Sequence, residues 1–124
     1  MNRVETGKNC EKQAALFLEK QGFQVLQRNF RCRQGEVDII GIHENCLVFV
    51  EVKYRTSNKA GMPEEAVGVQ KQKKICQASD YFRLKHKEYQ TFQIRYDVVA
   101  MLSDRIRWHR NAFFYRADNN RIKW

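Results

Sequence analysis

Two strand-like runs separated by a short turn are the feature that most constrains how this chain can fold. The first run, Glu36 to Ile42, reads EVDIIGI, and the second, Cys46 to Tyr54, contains LVFVEV without glycine or proline. Only a short turn around Glu44 and Asn45 lies between them. The two runs are therefore predicted to form an antiparallel hairpin.

A turn centred on Glu44 and Asn45 fixes which side chains face each other. It places Asp38 opposite Glu51 and, on the same face, Glu36 opposite Lys53. Opposed side chains have Cβ atoms ~4.5–5.5 Å apart, so two ionised carboxylates there repel each other unless a cation lies between them. Carboxylate oxygens, water and substrate phosphate are the ligands that suit Mg²⁺ or Mn²⁺.

A simpler interpretation of the same residues is a solvated hairpin face with a cross-strand ion pair between Glu36 and Lys53. The apolar residues on both faces of these strands weigh against it, because the charges then cluster at one end of a sheet that is otherwise apolar. A buried sheet that becomes acidic at one end is typical of a functional site. The pattern therefore favours a metal site.

The remaining segments indicate an α/β fold. The predicted elements and loops are a helix from Gly7 to Gly22, a strand from Phe23 to Phe30, a polar turn from Arg31 to Gly35, a loop over 55–64, a helix from Glu64 to Leu84 and a strand from Ile94 to Leu102. The buried helix face is expected to include Val67, Ile75, Ala78 and Phe82. This order predicts one mixed central sheet with helices on its faces, a three-layer α/β/α arrangement. At 124 residues the chain fits a single domain over 1–124.

The charge balance points to a polyanionic partner. Lysine and arginine number 23 against 14 acidic residues, which gives a formal net charge of +9 and a sequence pI near 9.6. Binding to phosphates releases counterions, so a domain this basic is typical of nucleic-acid binding. Solubility alone is the other interpretation of the same charge.

The cysteines and the hydropathy pattern predict a cytoplasmic protein. Cys10, Cys32, Cys46 and Cys76 are scattered without a CxxC pair, which disfavours a zinc site. No window approaches the ~18 apolar residues that span a bilayer, and the N-terminus has no apolar signal segment. A reducing compartment, buried thiols and no membrane partner are expected.

Several motifs together resemble a known family. The spacing from Asp38 to Glu51-Val52-Lys53 resembles the D-x(n)-(D/E)-x-K signature of restriction-endonuclease-like nucleases, with Val37 where that signature usually has proline. A wider set of residues is similar to the YraN-like family of small uncharacterised bacterial proteins: Gly7, Glu11, Ala14, Arg28-Asn29, GEVDII at 35–40, LVFVEVKYR at 47–55, Lys71, RYDVV at 95–99 and NAF at 111–113. The resemblance covers nearly the whole chain. It implies a restriction-endonuclease-like fold and nuclease activity related in outline to that of archaeal Holliday-junction resolvases.

The resemblance also assigns roles to residues of this chain. It implies that Asp38 and Glu51 ligate Mg²⁺ or Mn²⁺, that the carbonyl of Val52 completes the metal's inner shell, and that Lys53 orients or activates the attacking water. Glu11, on the first helix, matches a carboxylate that supports the metal in resolvase-like nucleases, although an ordinary exposed helix glutamate is the alternative. Ala60 stands before Gly61 where the family often has an aromatic residue, so this loop's contacts stay open.

Basic residues near these motifs are the candidates for nucleic-acid binding: Arg28, Arg31, Arg33, Arg55 and Lys71. Aromatic residues of the C-terminal segment, Trp108, Phe113, Phe114 and Tyr115, could stack on unpaired bases, but aromatic residues of a small domain more often lie in its core.

The sequence supports three functional hypotheses. The first is a metal-dependent endonuclease that hydrolyses phosphodiester bonds, with DNA favoured over RNA and branched or structured DNA among its substrates. The second is a catalytically inactive nucleic-acid-binding module, and the third is a protein-interaction scaffold. Whether two copies form a homodimer stays open.

Overall fold

The computed structural model describes residues 3–55, 67–103 and 105–117, which form two main helices and five strands. In chain order the elements are α1 Arg3–Lys20, β1 Gln24–Cys32, β2 Gly35–His43, β3 Cys46–Arg55, α2 Val69–Lys85, a short 3₁₀ turn Lys87–Tyr89, β4 Gln93–Leu102 and β5 Ile106–Phe113. The strands build one sheet in the order β1-β2-β3-β4-β5. The predicted α/β class with a mixed sheet is confirmed.

One parallel pair makes the sheet mixed. Strands β3 and β4 run parallel, whereas the other neighbouring pairs are antiparallel. Parallel neighbours need a long crossover connection, and α2 lies in the chain between these two strands. The crossover carries α2 across one face of the sheet.

The predicted hairpin is confirmed in its turn and register. Glu44 and Asn45 have positive φ values of 50° and 65°, as a two-residue type I′ turn requires. The ladder between β2 and β3 runs from His43 opposite Cys46 to Ile39 opposite Val50. Its register is the predicted one, and it ends just before the acidic residues.

The helices lie on opposite faces of the sheet. Phe49 of β3 belongs to the apolar cluster that contains Phe82 of α2, while the next residue, Val50, belongs to the cluster that contains Leu18 of α1. Successive strand residues point to opposite faces, so the two clusters are two cores. This is the predicted α/β/α layering.

Several predicted boundaries are wrong. Arg31 and Cys32 belong to β1, because the strand continues to a tighter turn at 33–34. Helix α2 begins at Val69 rather than at Glu64, so Val67 is buried ahead of the helix and not on its face, whereas the predicted Ile75, Ala78 and Phe82 are buried within it. The predicted loop over 55–64 lies outside the described residues except for Arg55, the last residue of β3.

The C-terminal region contains a strand that the sequence analysis did not predict. Strand β5 pairs with β4 along the edge of the sheet. It alternates apolar residues with arginine and histidine, and most of its residues are only partly buried, so its hydrophobic signal is weak.

The structure tests the predictions that the cysteines are free, buried thiols and that no segment crosses a membrane. All four cysteines are free; Cys10 and Cys76 are buried, as predicted, but Cys32 and Cys46 are only partly buried. Among the described helices, neither is long and apolar enough to cross a bilayer.

Candidate functional site

Asp38 lies on β2, at the point where β2 and β3 separate. Its Oδ2 accepts a hydrogen bond of 2.8 Å from the backbone N–H of Val52. A side chain thus takes the place of the next backbone pair in the ladder. The backbone ladder therefore stops before the predicted pairs of Asp38 with Glu51 and of Glu36 with Lys53. Glu36 instead forms an ion pair with Arg31, with Nε and Oε2 3.2 Å apart.

Glu51 is a buried carboxylate held between two lysines. The residue is 5% exposed. Its Oε1 lies 3.8 Å from Nζ of Lys53 on the same strand and 3.5 Å from Nζ of Lys71 on α2. Lys71 was predicted as a nucleic-acid contact. In the structure it forms an ion pair with Glu51, the predicted catalytic carboxylate.

Burial and mutual repulsion make the two carboxyl groups hard to ionise. Burial raises the pKa of Glu51, and neighbouring Asp38 raises it further, to about 7, although Lys71 and Lys53 act in the opposite direction. Burial also raises the pKa of Asp38, against the effect of the hydrogen bond from Val52. Both carboxyl groups are therefore harder to ionise than ordinary ones, and a bound divalent cation would favour their ionised forms.

The donor set fits a hard divalent cation. A typical Mg²⁺ site uses one or two carboxylates, with water and substrate phosphate in the other positions. Asp38 and Glu51 supply this number, and Asp38 lies close enough to Glu51 to raise its pKa. Within the described ranges no three His, Cys, Asp or Glu side chains lie together as a metal-binding group.

Glu11 approaches the same site from the opposite face of the sheet. It is partly buried on α1, and its pKa is raised by burial first and by Asp38 second. The side-chain amide of Asn29, a residue with a positive φ of 55°, donates a hydrogen bond to the Glu11 carboxylate. Glu11 is therefore not an isolated exposed helix residue, and Asn29 is a neighbour that the sequence analysis did not assign to the site.

A glycine lets α2 approach the site closely. A Cβ atom at Gly35 would lie 2.8 Å from the carbonyl oxygen of Lys74, which is closer than such contacts allow. The absence of a side chain permits the backbone of α2 to pack on the start of β2. One helical turn before Lys74, Lys71 then reaches Glu51. The glycine of the GEVD motif thus has a packing role that sequence reasoning did not assign.

The predicted arginines lie on β1, in the turn that follows it and at the end of β3. Arg28 on β1 is exposed and lies close enough to Glu11 to lower its pKa. Arg31 and Arg33 are exposed at the end of β1 and in the turn that follows. Arg55 ends β3. Arg28 and Arg31 lie beside the acidic site, because both lower the pKa of Glu11.

The C-terminal aromatic residues divide between core and surface. Trp108 donates a hydrogen bond to Asp97 and packs on Phe23, and Phe113 is buried, so these two are unavailable for base stacking. Phe114 and Tyr115 are 76% and 50% exposed. Of these four aromatic residues, only Phe114 and Tyr115 are exposed enough to stack on bases.

Replacing Glu51 with glutamine is expected to stabilise the metal-free protein above pH 7. The folded protein favours the neutral form of the carboxyl group. Its contribution to stability is complete below the ordinary pKa of 4.5 and is lost as the pH rises through about 7. Glutamine does not ionise, so the variant should gain at most about 3 kcal/mol over the parent at pH 8. Urea unfolding in EDTA at pH 5 and pH 8 measures the difference, and an equal difference at both pH values would contradict the raised pKa.

Comparison with known proteins places the chain in a family. The model of the uncharacterised protein family UPF0102 matches residues 10–101. The chain is 46% identical over 113 residues to a UPF0102 protein of Lachnoclostridium phytofermentans, covering 91% of this chain and 96% of that protein. It is 42% identical over 105 residues to a UPF0102 protein of Natranaerobius thermophilus, covering 84% and 88%. The resemblance predicted from the motifs is confirmed at the level of the family, and this chain belongs to the uncharacterised protein family UPF0102.

Proposed function

We propose that this chain binds nucleic acid and hydrolyses its phosphodiester bonds as a metal-dependent endonuclease, with branched or structured DNA as the favoured substrate class. The proposal depends chiefly on one observation. Two partly or fully buried carboxylates, Asp38 and Glu51, lie with two lysines at the end of the sheet where β2 and β3 separate.

Asp38 and Glu51 would hold the cation, Mg²⁺ or Mn²⁺, with the carbonyl of Val52 as a third candidate ligand. When bound, the cation would neutralise charge on the scissile phosphate and lower the pKa of a water molecule. The hydrogen bond from Val52 fixes the orientation of Asp38. One carboxylate is thereby oriented before substrate arrives.

The lysines supply positive charge at the position of reaction. The side chain of Lys53 is 22% exposed and that of Lys71 is 39% exposed, so both can be reached by a phosphate while their charges stay close to Glu51. Cations fixed in this way stabilise negative charge that develops on a phosphate in the transition state. Lys53 is the candidate for this catalytic role, and the more exposed Lys71 is the candidate for phosphate binding.

The arginines beside the site would hold the substrate backbone. Arg28, Arg31 and Arg33 are exposed at the same end of the sheet, and the whole chain carries a formal charge of +9. Phosphate contacts of this kind give affinity without sequence preference.

Cleavage is expected to require both a divalent cation and Asp38. We would test branched, single-stranded and duplex DNA with Mg²⁺, with Mn²⁺ and with EDTA, using the parent and Asp38→Asn. Asparagine keeps an oxygen for the N–H of Val52 but removes the negative charge, so the fold should persist while cleavage is lost. The rate of product formation on a gel is the measurement.

Glu36→Gln is the matched control for this experiment. Glu36 lies two residues from Asp38 on the same strand, but it is exposed and paired with Arg31. Its loss should leave cleavage intact. Equal rates for the parent and Asp38→Asn would refute the catalytic assignment.

A binding module without catalysis is the second candidate. Two lysines already contact Glu51, so the acidic site is partly neutralised without a metal. Metal-independent affinity that falls steeply with salt, together with no cleavage of any substrate, would favour this function.

A further inference from the structure

A small pocket lies between the second half of α2 and the chain segment that follows β5. Its volume is about 260 Å³, and its lining includes Asp80, Arg83, Asn111, Phe114 and Tyr115. Pockets for drug-sized ligands usually measure about 300–1,000 Å³. The Arg83 pocket, as we call it, therefore suits one planar ring system rather than a larger molecule.

Arg83, which lines this pocket, has a buried hydrogen-bond donor. Its Nε is buried and has no hydrogen-bond partner among the residues that the structure describes. A guanidinium group carries donors only, and a buried donor without an acceptor is unfavourable. The planar guanidinium matches the geometry of phosphate oxygens, so a phosphate would satisfy it.

Two exposed aromatic rings stand at the same pocket. Phe114 is 76% exposed and Tyr115 is 50% exposed. Their segment is tied to α2, because Tyr115 donates a hydrogen bond of 2.7 Å to Asp80 and Arg116 donates one of 2.7 Å to Gln72. Exposed rings on an anchored segment form a platform on which bases can stack.

Helix α2 connects this pocket with the acidic site. Lys71 near its start contacts Glu51, and Arg83 lies twelve residues further along the same helix, which is about 18 Å at 1.5 Å per residue. A strand that reaches the acidic site could extend over a few nucleotides to the Arg83 pocket.

We propose that the Arg83 pocket binds an unpaired nucleotide of the substrate, with its base stacked on Phe114 and a phosphate paired with Arg83. The proposal rests on the proposed function and specifies its substrate as a nucleic acid with unpaired nucleotides close to the cleavage site. A nucleotide is favoured over an apolar peptide because it satisfies both the aromatic platform and the unpartnered guanidinium donor, and because the chain is strongly basic.

The test compares single-stranded and duplex binding without metal. Fluorescence anisotropy in EDTA at low salt would measure the affinity of a labelled oligonucleotide and of its blunt duplex for Phe114→Ala and Arg83→Gln. Loss of one stacked base should weaken single-strand binding about five- to a hundredfold, and duplex binding should hardly change. Leu16→Ala, which removes another exposed apolar side chain, and Lys20→Gln, which removes another exposed charge, are the controls.

Phe114→Trp distinguishes stacking from a structural effect. Tryptophan should retain single-strand affinity, and its fluorescence should be quenched on binding. Equal losses on single strand and duplex, or no loss in either Phe114→Ala or Arg83→Gln, would overturn the proposal while leaving the nuclease function intact. A change of sedimentation in Phe114→Ala would indicate a contact between two copies and would also overturn it. If the parent binds no nucleic acid at low salt, the proposed function fails together with this inference.

Discussion

Asp97→Asn is expected to lower the free energy of unfolding by about 3–5 kcal/mol, since it removes one partner of a buried ion pair. Asp97 is fully buried. Its oxygens accept hydrogen bonds from Nε and Nη2 of Arg95, from Nε1 of Trp108 and from the backbone N–H of Asn111. Asparagine has almost the same volume but no charge, and its NH₂ group would face donors.

The position of Asp97 explains why the effect should be large. The ladder between β4 and β5 is interrupted between Tyr96 and Val98, and the side chain of Asp97 supplies the missing acceptor for Asn111, which has a positive φ of 55°. The carboxylate therefore holds the edge strand to the sheet across this bulge. In Asp97→Asn the guanidinium of Arg95, which is 11% exposed, would stay buried after losing the carboxylate of Asp97.

Glu44→Gln is the matched control for Asp97→Asn. Glu44 contacts the same Arg95, at 3.9 Å, but its side chain is 66% exposed. Exposed ion pairs contribute about 0–1 kcal/mol, so this variant should unfold almost like the parent. Urea unfolding with an unchanged slope is the measurement. If the two variants lose the same stability, the carboxylate of Asp97 does not hold the edge strand.

The hairpin could be predicted because its determinants are local. The turn at Glu44 and Asn45 and the apolar runs on either side fix the register, and the register brings Asp38 near Glu51. What the pattern could not show is that the ladder ends at Ile39, because the side chain of Asp38 replaces a backbone acceptor there. Such a replacement depends on the surroundings in three dimensions.

The parts of the site that were missed depend on long-range packing. Lys71 reaches Glu51 because α2 crosses the sheet and packs on Gly35. Asn29 reaches Glu11 because β1 and α1 meet at the same end of the fold. Both residues were noted as family matches, but no periodicity or spacing in the sequence joins them to the carboxylates.

Strand β5 could not be predicted from the sequence for a different reason. Strand β5 has partly exposed residues on both faces, so its alternation of apolar and charged residues does not correspond to one buried and one solvated face. Asp97 likewise sits inside a strand with the sequence of an apolar core, where nothing in the local pattern identifies its partners at Trp108 and Asn111.

Lys53→Ala is expected to reduce the rate of cleavage about a hundredfold or more while leaving the fold and most nucleic-acid affinity unchanged. Lys53 is one cation among 23 lysines and arginines, so its loss should change substrate binding little. Its Nζ lies 3.8 Å from the Glu51 carboxylate, where it can act on charge that develops only in the transition state. The effect should therefore appear in kcat rather than in Kd.

The assay must separate this role from an indirect effect on Glu51. Lys53 lowers the pKa of Glu51, so its removal makes that carboxyl group harder to ionise and should weaken metal binding near neutral pH. Single-turnover rates at pH 8, with Mg²⁺ raised until each protein is saturated, remove this contribution, because a bound cation favours the ionised form of Glu51 in both proteins.

Lys74→Ala is the matched control, since it removes the same charge from an exposed position on α2. It should cleave at the parental rate. Asp38→Asn should differ from both lysine variants by losing metal binding as well as turnover. A Lys53→Ala protein that cleaves as fast as the parent under these conditions would refute the catalytic role of Lys53, and a parent that cleaves no substrate would leave the binding module as the function of this chain.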